Sequence, residues 1–205
     1  MKLILLFFKK YNDYRLPIFS SSIIILLAFL ISLGNLNNIL GQEKDYDLKE
    51  VKDDVYVISS NGYNVMFLAT GEGTVLIDAP PAIGDKILNA IADVTNETIG
   101  HLVYNHAHRD HIGAAYTIVQ QQPDIEIVAE NNTAEILKMR NDPDRPVPTT
   151  TFVGNTTLNI GNKTIQLTYP GPYHQRGNIF IYIPEQKVLM VVDHLYSRTK
   201  SIDGC

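Results

Sequence analysis

Between Tyr104 and Gly113 the chain reads Tyr-Asn-His-Ala-His-Arg-Asp-His-Ile-Gly, which places three histidines and an aspartate within residues 106–111. The residues just before them, His101–Asn105 (HLVYN), have the composition of a buried strand. The polar cluster is therefore delivered at a strand end. Imidazole and carboxylate together suit Zn²⁺, and Fe or Mn less well. In an extended stretch His106 and His108 point the same way and can grip one cation. Asp110 and His111 fall where a following helix begins, turned away from that pair, and can serve a second metal.

A metal needs at least one more donor from far along the chain. His174 stands in a loop rich in Gly and Pro, Pro170–Asn178, between two expected strands. Asp193 ends the expected strand Lys187–Val192. Loops at strand ends are where sites are usually grafted onto β scaffolds. The one cysteine, Cys205, is the last residue, which excludes an internal disulfide framework and a Cys-rich zinc site.

The rest of the chain supports a mixed architecture. Of the 205 residues, 45% are apolar and 19% charged, a balance suited to one domain with a substantial core. The net charge of −5 offers no basic surplus, so nucleic acid is not an expected partner. Strands are expected at 54–59, 63–69 and 74–78, joined by turns at Asn61-Gly62 and 71–73. A helix is expected over 83–94, a strand at 101–105, and one helix from about 110 to 121. A strand at 125–129 and a helix over 132–139, capped by Asn131 or Asn132, follow. After the proline-containing loop 141–148 come strands at 150–153, 156–160, 164–168, 179–183 and 187–192. The order, β-meander, then alternating α and β, then β-meander, predicts two mixed sheets with helices outside.

Residues 1–41 read differently. Residues 16–42 carry no charge, and within them Ile23–Leu33 is apolar and preceded by Lys2, Lys9, Lys10 and Arg15. This is the pattern of a signal peptide or of an uncleaved membrane anchor. Both place residues 42–205 outside the cell membrane as an exported domain.

Taken in order, these motifs resemble the metallo-β-lactamase superfamily. They are Leu76-Ile77-Asp78 at a strand end, His106-x-His108-x-Asp110-His111, then Gly171-x-x-His174-x-x-Gly177-Asn178, then Asp193 after a hydrophobic strand. The resemblance covers about residues 51–200. It implies an α+β fold, an αββα sandwich with metals at one edge. It implies that His106, His108 and His174 bind a first Zn²⁺, that Asp110 and His111 bind a second, and that Asp193 bridges them. Asp78 would orient a ligand by hydrogen bonding, and Asp110 would handle the proton of an attacking water. The expected activity is zinc-dependent hydrolysis of a small molecule: an ester, lactam, lactone or thioester.

One departure bears on this. Members of the family usually supply a further downstream His to the second metal. After Asp193 this chain offers only His194, which on a strand would point the opposite way. The second half of the fold is accordingly expected to lack its C-terminal part, as in a truncated product, with one metal rather than two as the outcome if the site is incomplete. That leaves two rival readings, a mononuclear iron dioxygenase of the same fold and an inactive truncated family member. A diiron flavoprotein pattern would put Glu where His108 stands. His101 matches no motif and reads as a surface or hydrogen-bonded histidine. Arg109, Tyr173, Tyr196 and Arg198 flank expected ligands and could touch substrate or solvent.

Overall fold

The computed structural model describes residues 44–193. The expected signal or anchor in residues 1–41, and His194, Tyr196, Arg198 and Cys205, lie outside the described residues. Among the described residues, no helix is long and apolar enough to cross a membrane.

Seven strands form the first sheet in sequence order. They are β1 (Asp47–Lys52), β2 (Val55–Ser60), β3 (Tyr63–Ala69), β4 (Thr74–Ile77), β5 (Ile99–Val103), β6 (Glu126–Glu130) and β7 (Thr150–Phe152). The strands β1 to β4 pair antiparallel, and β4 to β7 pair parallel. Asn61 and Gly62, both at positive φ (52° and 82°), make the two-residue turn between β2 and β3. Those dihedrals match the right-handed twist of a hairpin, and Asn-Gly adopts them at low cost.

The second sheet has the order β11-β10-β9-β8, built from β8 (Asn155–Ile160), β9 (Lys163–Thr168), β10 (Phe180–Ile183) and β11 (Val188–Met190). Its described pairs are all antiparallel. The mixed pairing expected of both sheets is thus confined to the first, because only there do helices cross over between strands.

Two apolar layers hold the fold together. Between the sheets, Val55, Met66, Leu68, Val75, Ile77, Val103 and Val128 pack on Ile165, Leu167, Ile179, Ile181 and Ile183. On the other face of the first sheet, Phe67, Leu76, Leu102 and Ile127 pack under helices α1 (Lys86–Ala92), α3 (Ala115–Gln121) and α4 (Asn131–Arg140), through Ile87, Ile91, Ile118 and Leu137. A strand covered on both faces has no need of polar alternation, and all four residues of β4 are buried. Truncating one of these side chains, such as Ile165→Ala, costs about 2–5 kcal/mol. Among the described residues no helix lies on the outer face of the second sheet.

The structure redraws several expected boundaries. The strand β1 went unread in the sequence because its residues, DLKEVK, are nearly all exposed, as befits a charged edge. The first helix starts at Lys86 rather than Ile83, because Gly84 takes a positive φ of 56°. The helix expected over 110–121 is two pieces, α2 (Arg109–Ile112) and α3. Gly113 sits at the break, where an added Cβ would lie 2.5 Å from the Arg109 carbonyl oxygen and 2.7 Å from Pro81. The cap of α4 is Glu130, whose carboxylate accepts from the Asn132 N–H at 2.7 Å, in place of Asn131 or Asn132. The last strand stops at Met190, so Asp193 lies three residues beyond it, at a φ of 57°.

Candidate metal centre

Because β4, β5 and β6 run parallel, their carboxyl ends share one rim of the sheet, the usual place for a ligand in such a fold. Asp78 follows β4, and the stretch from Asn105 to His111 follows β5 and enters α2. The β9–β10 loop brings His174 to the same rim. It is tied there by the Ile179 N–H, which donates to the Asn105 carbonyl at 3.0 Å. The buried Asn178 side chain donates to the Val192 carbonyl at 3.1 Å, which fixes the backbone directly before Asp193.

All six residues singled out as ligands meet here. Ligand atoms of His106, His108, His174 and Asp193 lie within 4.8 Å of one another. His174 Nε2 is 3.1 Å from His108 Nδ1 and 3.4 Å from Asp193 Oδ2. His106 Nε2 is 3.7 Å from the same Asp193 oxygen. Donors around a tetrahedral zinc, each about 2.0–2.1 Å from the ion, stand about 3.3–3.4 Å apart. The observed separations straddle that spacing, so the donor set fits a cation of this size. His111 and Asp110 stand beside this group. His111 Nε2 lies 3.1 Å from Asp193 Oδ2 and 3.5 Å from Asp110 Oδ2.

The electrostatics agree. Burial, and then the neighbouring His174, lower the pKa of His108, which favours the neutral imidazole that a metal requires. Asp78 is 2% exposed. Burial pushes its carboxyl well above the usual range; the Asn105 N–H opposes this, and the negative Asp193 and Asp110 add to it. Its Oδ1 accepts that N–H at 2.8 Å. Its Oδ2 takes no hydrogen bond among the described residues and faces His111 Nδ1 at 3.9 Å. Asp78 and Asp193 both hold positive φ, 66° and 57°. Aspartate tolerates that region better than most residues, and such strain gathers at functional sites.

His101 lies within β5, and its Nε2 is 3.4 Å from Glu126 Oε2, a cross-strand pair outside the cluster. Arg109 points to the 141–148 loop, pairing with Asp142 at 2.8 Å and with Asp144. Tyr173 is exposed at the rim. Tyr63 was missed in the sequence, where it reads only as the first residue of a strand. The Asn61-Gly62 turn carries its hydroxyl to within 3.4 Å of Asp110 Oδ2, and its ring meets His111 edge-on at 6.1 Å.

The sequence profile of the Metallo-beta-lactamase superfamily matches residues 61–205. The chain belongs to that superfamily. Among its relatives in this superfamily, metallo-beta-lactamase type 2 of Bacillus cereus is 26% identical over 154 residues, 69% of this chain and 57% of that protein. The 2,4-dinitroanisole O-demethylase subunit alpha of Nocardioides sp. (strain JS1661) is 24% identical over 160 residues, 76% of this chain and 48% of that protein. The chain thus spans about half the length of the curated relatives it matches. A solved metallo-beta-lactamase from Pontibacter korlensis superposes with a TM-score of 0.59 and 26% identity, covering 70% of this chain and 69% of its own.

Proposed function

We propose that this superfamily member is a zinc-dependent hydrolase acting on a small molecule with an ester, lactam, lactone or thioester bond. His106, His108 and His174 would hold one zinc, Asp110 and His111 a second, and Asp193 both. The observation that carries this reading is the close approach of His106, His108, His174 and Asp193, drawn from three separate stretches of chain. When bound, zinc makes water nucleophilic at neutral pH and stabilises negative charge on an attacked oxygen. Asp110, next to that position and exposed on one side, orients the water and takes its proton. The Tyr63 hydroxyl, donating to Asp110, holds the carboxylate's rotamer. Asp78 faces the far nitrogen of His111 and favours the tautomer whose Nε2 is free to bind. The relatives' names span a β-lactamase and a demethylase, so the choice of bond belongs to the substrate pocket rather than to the fold.

The basic flank and apolar run before residue 42 support export, with the domain outside the membrane as a secreted or anchored protein. Elemental analysis of the purified full-length chain tests the central reading, alongside hydrolysis assays on nitrocefin, a lactone and a thioester. Zinc at one to two equivalents with chelator-sensitive hydrolysis is expected. Iron near one equivalent would favour the dioxygenase reading, and no metal under any loading condition would refute both.

A further inference from the structure

Ala107 joins the two halves of the His106–His108 pair, and both of its backbone polar groups are gripped. Its N–H donates to Gln175 Oε1 at 2.8 Å. Its carbonyl accepts from Arg145 Nη1 at 2.6 Å. Gln175 is the residue after His174, so one hydrogen bond measures the distance between the two histidine-bearing loops.

Arg145 is 6% exposed and lies in the 141–148 loop. Its Nε donates to Asp142 Oδ2 at 2.8 Å. Asp142 also accepts from Arg109 Nη1 at 2.8 Å, and Arg109 directly follows His108. The loop therefore holds the histidine stretch at two successive points, the carbonyl of Ala107 and the side chain of Arg109. Burying a guanidinium is costly even when it is paired, and an apolar side chain of similar volume would pack as well or better. What the guanidinium adds is a fork that satisfies a carboxylate and a backbone carbonyl at fixed angles.

We propose that Gln175 and Arg145 are positioning residues that set the spacing of the His106, His108 and His174 donors by fixing the two peptide planes that flank Ala107. This rests on the metal-site reading above. The geometry explains why both grips are needed. The Ala107 N–H lies in the peptide shared with His106 and its carbonyl in the peptide shared with His108, so rotation of either plane swings one imidazole relative to the other. Holding only the carbonyl leaves the His174 loop unregistered, and holding only the N–H leaves the plane on the His108 side free to tilt.

The test uses the full-length chain with Gln175→Met, which keeps the shape and removes the acceptor, and Gln175→Glu, which keeps an acceptor oxygen. Arg145→Met and Arg145→Lys complete the set. Zinc affinity is read by competition with a chromophoric chelator, and site geometry by the visible absorption of the cobalt(II)-loaded protein. Gln175→Met and Arg145→Met are expected to weaken zinc binding about 10–100-fold, the range for groups that orient metal ligands, and to shift the cobalt bands. Gln175→Glu should restore the wild-type bands. Arg145→Lys, which reaches the carboxylate or the carbonyl but not both, should fall between wild type and Arg145→Met. If Arg145→Met fails to fold, Arg145→Lys and Gln175→Met decide. Lower melting temperatures with wild-type zinc affinity and cobalt spectrum would reduce both residues to ordinary structural roles and overturn the proposal. A wild-type chain that takes up neither zinc nor cobalt would instead overturn the metal-site reading beneath it.

Discussion

Asp193 Oδ2 stands 3.1 Å from His111 Nε2, and the same oxygen lies 3.4 Å from His174 Nε2. One carboxylate therefore reaches both donor groups. Asp193→Ala should remove a ligand from each, leaving well below one equivalent of zinc after gel filtration. Asp193→Asn, which keeps an oxygen but loses the charge, should retain the first zinc more weakly. Elemental analysis checks both, and a full wild-type complement in Asp193→Ala would show that the carboxylate binds neither metal.

His101 supplies the control for that series. It is near the cluster in sequence but faces Glu126 across the sheet. His101→Ala should leave zinc content unchanged, whereas His106→Ala and His174→Ala should abolish uptake of the first metal. Retention of zinc in both of the latter would refute the ligand assignment.

Asp78 is a carboxyl held where water cannot reach it, and burial pushes its pKa well above the usual range. Asp78→Asn keeps an oxygen to accept the Asn105 N–H and tolerates the same positive φ. It also removes the cost of burying an ionisable carboxyl. The metal-free variant is expected to melt at or above the wild-type temperature. Its second-metal affinity should fall about 10-fold or more, because the carboxylate that faces His111 Nδ1 is gone. Calorimetry of the chelated proteins and zinc titration of the loaded ones separate the two effects. Lower stability together with unchanged affinity would reverse the reading of Asp78.

Much of the site was legible because its chemistry is local in sequence. His106, His108, Asp110 and His111 fall within six residues, but the expectation that His111 turns away from the His106–His108 pair does not hold, since the His106 ring lies 4.6 Å from the rings of both His108 and His111. His174 could be placed in a loop between two strands, and Asp193 after the last one, from turn residues and β-branched runs, although that strand ends three residues before Asp193. The parts that were not legible are held by long-range contacts. Arg145 in a proline-containing loop looks like a solvated charge until the fold lays it against the Ala107 carbonyl. Tyr63 looks like a strand residue until the hairpin leans over Asp110. The break at Gly113 was invisible because it depends on a distant segment: the Ala114 N–H donates to the Ala79 carbonyl at 2.9 Å, and Pro81 leaves no room for a Cβ at Gly113. The strand β1 was hidden for the opposite reason, since it buries too little apolar surface to show a period.

Asp142 gives a dependence on pH away from the ligands. Burial works to raise its pKa, but the Asp144 N–H, Arg145 and Arg109 outweigh it, and the net direction is downward. A carboxylate with a depressed folded pKa contributes stability above its unfolded value of about 3.9 and loses it as pH falls through the folded value. In metal-free protein, the melting-temperature gap between wild type and Asp142→Asn should be largest near neutrality and shrink as pH drops below about 4. A gap that stays constant across that range would mean the ion pairs contribute nothing.

Gly177 connects stability to the metal centre. It has a φ of +86°, and a Cβ there would lie 2.3 Å from Thr133 Oγ1 and 2.6 Å from Thr133 N. Thr133 is buried near the start of α4, and its hydroxyl donates to the Gly177 carbonyl at 3.1 Å. Gly177→Ala therefore meets strained backbone, a rigid helix and a broken hydrogen bond together. Gly154, at a φ of +73° with nothing within 4 Å of an added Cβ, isolates the first of these. Gly154→Ala should cost about 1 kcal/mol. Gly177→Ala should cost about 3 kcal/mol or more, which is roughly 6–12 °C in melting temperature for a domain of this size. Because the helix cannot yield easily, the loop carrying His174 must move, and zinc affinity should fall with stability. Equal losses for the two alanine variants would mean that the approach to Thr133 is not what requires glycine. Lowered stability with intact zinc affinity would mean that the strain is absorbed before it reaches His174.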